Sequence, residues 1–219
     1  MCIRDSQQID FVQNKNLGYN RNNIITFPKE GRAVESLETF LNEIKNIDGI
    51  INATSTQHSI VAGGNTTTGI SWEGKNPNDV IKFSAMGVQY DFLKTLEIEL
   101  LEGRTFSKEF SDTIRHLILN ETAVEVMGLN EPVGKTIRLW GDNAKIVGIV
   151  KDFHHESLHK KVEPIFIHVS PDANQSTIVA RIESGKERET LSRLEAFYKT
   201  HNPGSVCYTH QTLPTTPYV

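Results

Sequence analysis

Residues 32–47, RAVESLETFLNEIKNI, decide the fold class. Val34, Leu37, Leu41, Ile44 and Ile47 recur three and four positions apart, which puts them on one face of a helix, and Asp48-Gly49 supplies the stop. Upstream, Asn22 to Phe27 reads as a strand closed by Pro28, and downstream Ile50 to Gln57 reads as another. A β-α-β unit this short cannot cover its own sheet face, so it needs a sheet partner from elsewhere in the chain.

The expected partner lies near the other end. Thr177 to Glu183 reads as a strand with Ile178, Ala180 and Ile182 on one face, and the helix predicted over Lys186 to His201 carries a stripe of Leu191, Leu194 and Tyr198. The two units are predicted to share one sheet with both helices on one face, burying Leu37, Leu41 and Ile44 beside Leu191 and Leu194. Such an arrangement is a split α+β domain with an insertion.

The intervening stretch reads as β-rich with short helices and is expected to form a separate lobe. Val80 to Val88 alternates like a strand, Tyr90 to Leu96 is a short helix, and His116 to Leu119 is a strand. Asn120 can cap a helix over Glu121 to Met127 that Gly128 ends. Thr136–Leu139 and Lys145–Val150 flank Gly141-Asp142-Asn143 as a hairpin.

Composition narrows the function. The 219 residues carry 23 Lys+Arg against 27 Asp+Glu, a net charge of −4, with 37% hydrophobic and 8% aromatic residues. That balance supports a buried core and excludes low-complexity disorder and a strongly basic nucleic-acid binder, so nucleic acid is not an expected partner. No apolar run approaches the roughly 18 residues a membrane span needs. Cys2 and Cys207 lie outside every patterned segment and define neither a disulfide framework nor a metal site. Residues 1–6 and 206–219 resemble translated adapter sequence and are left out of the fold reading.

Three motifs imitate chemistry. His155-Glu156-Ser157-Leu158-His159 matches H-E-x-x-H, in which two histidines one helical turn apart bind zinc and the glutamate activates water. The stretch between Asp152 and Pro164 leaves room for about two turns of helix, Leu158 and Val162 share the histidine face, and the third ligand stays open among Glu163, His168 and Glu183. Gly128 to Thr136 imitates a phosphate loop, but five residues separate Gly128 from Gly134, Pro132 has no N–H to offer, and the order is helix into strand. Asn52, Asn65 and Asn120 begin glycosylation sequons, which are frequent by chance. No catalytic, cofactor-binding or metal residue is assigned and no cofactor is expected. The alternative reading is a zinc-dependent hydrolase with His155 and His159 as ligands and Glu156 as general base.

Several segments, taken in order, carry a resemblance. They are Val88-Gln89-Tyr90-Asp91-Phe92-Leu93-Lys94-Thr95-Leu96 leading to Leu101-Glu102-Gly103-Arg104-Thr105-Phe106-Ser107, then Leu119-Asn120-Glu121-Thr122-Ala123-Val124, then Gly128 with Pro132-Val133-Gly134-Lys135-Thr136-Ile137. Val147-Gly148-Ile149-Val150-Lys151-Asp152-Phe153-His154 with Ser157-Leu158-His159 completes the series. Over roughly residues 7 to 204 the chain resembles the MacB-like periplasmic core domain of FtsX/MacB-type ABC transporter permeases. In that family these motifs are architectural, and the position of His155 is often aromatic.

The resemblance implies a porter-like (ferredoxin-like) α+β subdomain from residues 22–57 and 165–205, and an inserted β-rich subdomain from 58–164. Residues 7–21 would be a linker after a first transmembrane helix, with a second such helix beyond the domain. It further implies a non-enzymatic domain on the periplasmic side of the bacterial cytoplasmic membrane. Its expected partners are an ABC ATPase domain or subunit acting across the membrane, an envelope adaptor or outer-membrane channel, and a second permease copy. A free-standing periplasmic adaptor or binding module of the same fold is a further alternative.

Overall fold

The computed structural model describes residues 17–60, 65–110, 114–155, 161–171, 174 and 176–201. Its terminal part holds β1 (Ile24–Pro28), α1 (Arg32–Glu35), α2 (Leu37–Lys45) and β2 (Ile50–Thr56), and later β11 (Thr177–Ile182) and α5 (Glu187–His201). Between them run β3 (Asn65–Thr67), β4 (Ile70–Ser71), β5 (Phe83–Val88), α3 (Phe92–Leu96), β6 (Leu100–Gly103), β7 (Arg115–Asn120), α4 (Glu121–Met127), β8 (Thr136–Leu139), β9 (Asp142–Val150) and β10 (Ile165–Val169). The chain is α+β, built on one large mixed sheet.

β11 inserts between β1 and β2, antiparallel to both, with Ala180 opposite Ile25 on one side and Ala53 on the other. Alternation along β11 divides its side chains between the two faces of the sheet. Ile178, Ala180 and Ile182 meet Leu37, Phe40, Leu41 and Ile44 of α2 and Leu194 and Tyr198 of α5, with Leu191 partly buried beside them. Val179 turns to the opposite face, where Phe92, Leu93 and Leu96 of α3 pack. Helices therefore cover both faces of the terminal strands, two contributed by the ends of the chain and one by its middle.

The predicted helix over Arg32 to Ile47 is broken at Ser36, whose backbone is extended. The break turns the first segment, so that Ala33 takes the buried position and Val34 is 60% exposed. The strand expected from Val80 starts at Phe83, with Val80 left in solvent at 78% exposure. The helix expected from Tyr90 begins after Asp91, which adopts a left-handed conformation. Asn120 caps α4 as expected, accepting the Ala123 amide at 3.0 Å, and Gly128 ends it with φ 62°. β8 and β9 form the expected hairpin, but its turn is Trp140-Gly141, both at positive φ as a tight two-residue turn requires, and Asp142 and Asn143, expected in the loop, begin β9.

Two expectations about the layout differ from what is observed. The inserted strands do not stand apart: the sheet runs β1-β11-β2-β5-β10-β7-β9-β8-β4. At the join, Thr56 faces Val88, and the Gln57 and Gln89 amides donate across it to Gly87 and Ser55, each at 2.9 Å. A single core runs beneath it, from Ile24 and Val179 to Ile118, Ile165 and Ile167. Residues 165–169, grouped with the terminal unit in the sequence reading, form β10, parallel to β5 and antiparallel to β7. Ile165, Phe166 and Ile167 are buried on both faces, which is the condition of a central strand.

Candidate functional site

Two polar hubs flank the lead-in segment Leu17 to Asn22, where the chain enters the fold. The first gathers at the end of β9. Asp152 accepts from Asn120 Nδ2 at 2.7 Å and from the amide and hydroxyl of Thr122 at 3.0 and 2.6 Å. Asn120 Oδ1 accepts the amides of Ala123 and Ile165 at 3.0 and 2.9 Å, and its Nδ2 also reaches the Glu163 carbonyl. One asparagine thus satisfies the start of α4, the start of β10 and the end of β9 together.

The second hub is Arg181 on β11. It lies on the same face as Val179, where alternation calls for an apolar residue, and is 4% exposed. Its guanidinium donates to the carbonyls of Thr95 at 2.7 Å, Asn22 at 3.0 Å and Asn20 at 2.8 Å. Glu97 stands 3.4 Å from Nε and takes a hydrogen bond from Asn20 Nδ2 at 2.7 Å through its other oxygen. Burial pulls the arginine below its usual range and Glu97 opposes that.

The lead-in is tied to the same surroundings. His154 donates its amide to Leu17 at 2.8 Å, and Asn20 donates its amide to Leu96 at 2.9 Å. Gly18 sits at φ +78°, and a Cβ there would lie 2.3 Å from the Asp152 carbonyl, so the close approach needs glycine. Beside it opens a cleft of about 510 Å³ whose lining includes Tyr19, Asn20, Glu97, Glu99, Lys151 and His154. Lys151 pairs with Glu99 at 2.9 Å, and that hydrogen bond holds the ammonium above its usual range. Burial raises the Tyr19 phenol, against the pull of Arg21. These charged groups engage one another and backbone carbonyls, an arrangement suited to holding segments together.

Of the residues singled out for zinc, those the structure describes are not brought together. His155 is 3% exposed with its ring 6.1 Å from Phe153, and residues 151–155 are in neither helix nor strand. Glu156 and His159 lie outside the described residues. Among the third-ligand candidates, His168 stands 5.6 Å from the Trp140 ring on β10, the Glu163 carbonyl serves Asn120, and Glu183 pairs with Lys186 at 2.8 Å. Among the described residues no group of three or more His, Cys, Asp or Glu is placed to hold a metal ion. In the P-loop imitation, the Gly134 amide is taken by Ile146 at 2.7 Å and the Lys135 ammonium by the Asn130 carbonyl, as in a structural turn. Of the sequon asparagines, Asn52 and Asn120 are buried and Asn65 is exposed.

Sequence reasoning passed over Arg181. Its one signal is a charge inside Thr177-Ile178-Val179-Ala180-Arg181-Ile182, where the strand period predicts an apolar side chain.

The chain matches the MacB-like periplasmic core domain over residues 3–195 and belongs to that family, the periplasmic domain of MacB/FtsX-like ABC transporter permeases. No curated protein matches it. Among solved structures, the extracellular domain of the noncanonic ABC-type transporter YknZ from Gram-positive bacteria is similar at 16% identity and TM-score 0.53, covering 82% of this chain and 96% of that one. The periplasmic region of MacB from Actinobacillus actinomycetemcomitans is similar at 16% identity and TM-score 0.51, covering 85% and 89%. At these identities the likeness is one of fold. Among the described residues, no helix is long and apolar enough to cross a membrane.

Proposed function

We propose that this chain is the extracytoplasmic domain of an ABC transporter permease, held at the outer face of the cytoplasmic membrane, and that it passes movement of the membrane helices to export or envelope partners without catalysis of its own. The observation that carries this reading is the anchorage of the lead-in. In the family this segment follows the first membrane helix, and here Leu17 and Asn20 are bonded to His154 and Leu96 while Asn20 and Asn22 are bonded to Arg181. Movement of the lead-in therefore reaches the inserted strands and the terminal sheet together.

ATP is hydrolysed in this reading by a separate domain or subunit, and the permease works as a pair with an envelope adaptor or outer-membrane channel. We draw the division of the domain along the short β2–β5 seam, where the Thr56–Val88 pair and the Gln57 and Gln89 amide bonds join the strands. The test is the intact gene, expressed with its neighbours and reconstituted in vesicles. Deleting residues 22–201 is expected to leave ATP hydrolysis and abolish export. Undiminished export by the deleted permease, or an intact gene with no hydrophobic span on either side of the domain, overturns the reading.

A further inference from the structure

We propose that Arg181 is a coupling clamp that makes the lead-in, β11 and the C-terminal end of α3 move as one body. Its three hydrogen bonds end on three backbone carbonyls, two in the lead-in at Asn20 and Asn22 and one in α3 at Thr95. The arginine itself belongs to the terminal sheet, so a single side chain joins parts that are far apart in sequence. Because the acceptors are carbonyls, the clamp depends on the planar fork of the guanidinium and very little on which side chains stand at positions 20, 22 and 95.

The geometry makes the clamp cooperative. A guanidinium taken out of water is tolerated only while its donors are satisfied, and Glu97, half exposed, is the carboxylate beside it among the described residues. If the lead-in moved away, the cation would lose two of its three carbonyls at once. The Asn20 amide bond to Leu96 and the Asn20 side-chain bond to Glu97 would break with them. Displacement of the lead-in is therefore passed to α3. The direct seam between β2 and β5 is short, with one register pair, Thr56 with Val88, flanked by the Gln57 and Gln89 amide bonds to Gly87 and Ser55. The clamp stands on this geometry alone; that a membrane helix is what pulls on the lead-in rests on the function proposed above.

The test is amide hydrogen exchange on the whole chain, comparing the parent with Arg181→Lys and Glu97→Gln. A compact ammonium cannot span the three carbonyls, so Arg181→Lys is expected to speed exchange at Asn20, Thr95 and Ile98 about tenfold, the loss of a charged hydrogen bond. Amides of α2 and α5 should keep their protection. Glu97→Gln changes a half-exposed side chain and keeps the test open if Arg181→Lys does not fold. It should speed exchange at the same positions by a smaller factor. Unchanged exchange at Asn20 and Thr95, or loosening spread equally over α2 and α5, overturns the clamp. In the intact transporter Arg181→Lys should keep ATP hydrolysis and lower export about tenfold. Local loosening with undiminished export would leave the clamp standing and refute the transmission reading, so the two failures are told apart.

Discussion

Asp152 holds Thr122 with both carboxylate oxygens, Oδ1 on the amide at 3.0 Å and Oδ2 on the hydroxyl at 2.6 Å. These residues lie in the two motifs Asn120-Glu121-Thr122-Ala123 and Val150-Lys151-Asp152-Phe153, so the contact explains physically why both occur in one chain. The end of β9 is fastened to the first turn of α4, and Asn120 extends the same network to β10.

Asn120→Ala should therefore be among the most damaging single changes in the inserted strands. It strips the cap from α4 and leaves the Ala123 and Ile165 amides and the Glu163 carbonyl without that partner in a buried place. A lost cap together with a stranded buried donor amounts to about 3 kcal/mol. Chemical denaturation of the two proteins checks it, and a loss below about 1 kcal/mol would show that the network is dispensable.

Gly18 and Gly128 both sit at positive φ, but only Gly18 has backbone in the way of a Cβ. Gly128→Ala should cost about 1 kcal/mol, the left-handed penalty alone. Gly18→Ala must also push the lead-in off Asp152 and Phe153, and should cost at least twice as much, about 2 kcal/mol or more. Equal losses in paired melting experiments would mean that the lead-in does not pass as close to Asp152 as described.

These sites show where sequence reading reaches and where it stops. The stripe of Leu194 and Tyr198, the Asn120 cap and the β8–β9 hairpin were legible because each is written in neighbouring residues: a period, a capping side chain, a Gly-containing turn. The position of β10 was not, since Ile165-Phe166-Ile167 is apolar throughout and carries no alternation to say which strands it joins. The break at Ser36 was hidden by a periodicity that ran straight across it. Arg181 was legible only as an anomaly, because its partners are backbone carbonyls, which every residue possesses and no motif records. For the same reason the resemblance identified the family while Arg181, bonded to the carbonyls of Asn20, Asn22 and Thr95, went unnoticed.

His168 should make stability fall in mild acid. Burial first, and the nearby Arg115 charge, push its imidazole below the ordinary range, with only the Val169 carbonyl acting the other way. A histidine lowered on folding binds protons less well in the native state than in the unfolded chain. The unfolded state thus gains protons as pH falls below about 6.5, and stability declines from there down to the native value. The parent should lose melting temperature between pH 7 and 5 faster than His168→Gln does, and parallel curves would remove His168 from the acid response.

The H-E-x-x-H match should bind no stoichiometric zinc. The motif works only where both histidines project from one helical face, and residues 151–155 are not helical. His155 is 3% exposed and its ring meets Phe153 edge-on at 6.1 Å, so a hydrated cation would have to be stripped of water to reach it. Elemental analysis and melting with and without added zinc decide the matter. One zinc per chain, lost in a His155→Ala/His159→Ala double variant together with several degrees of melting temperature, would establish a metal centre. Metal-free protein whose melting ignores zinc would leave His155 without a metal role.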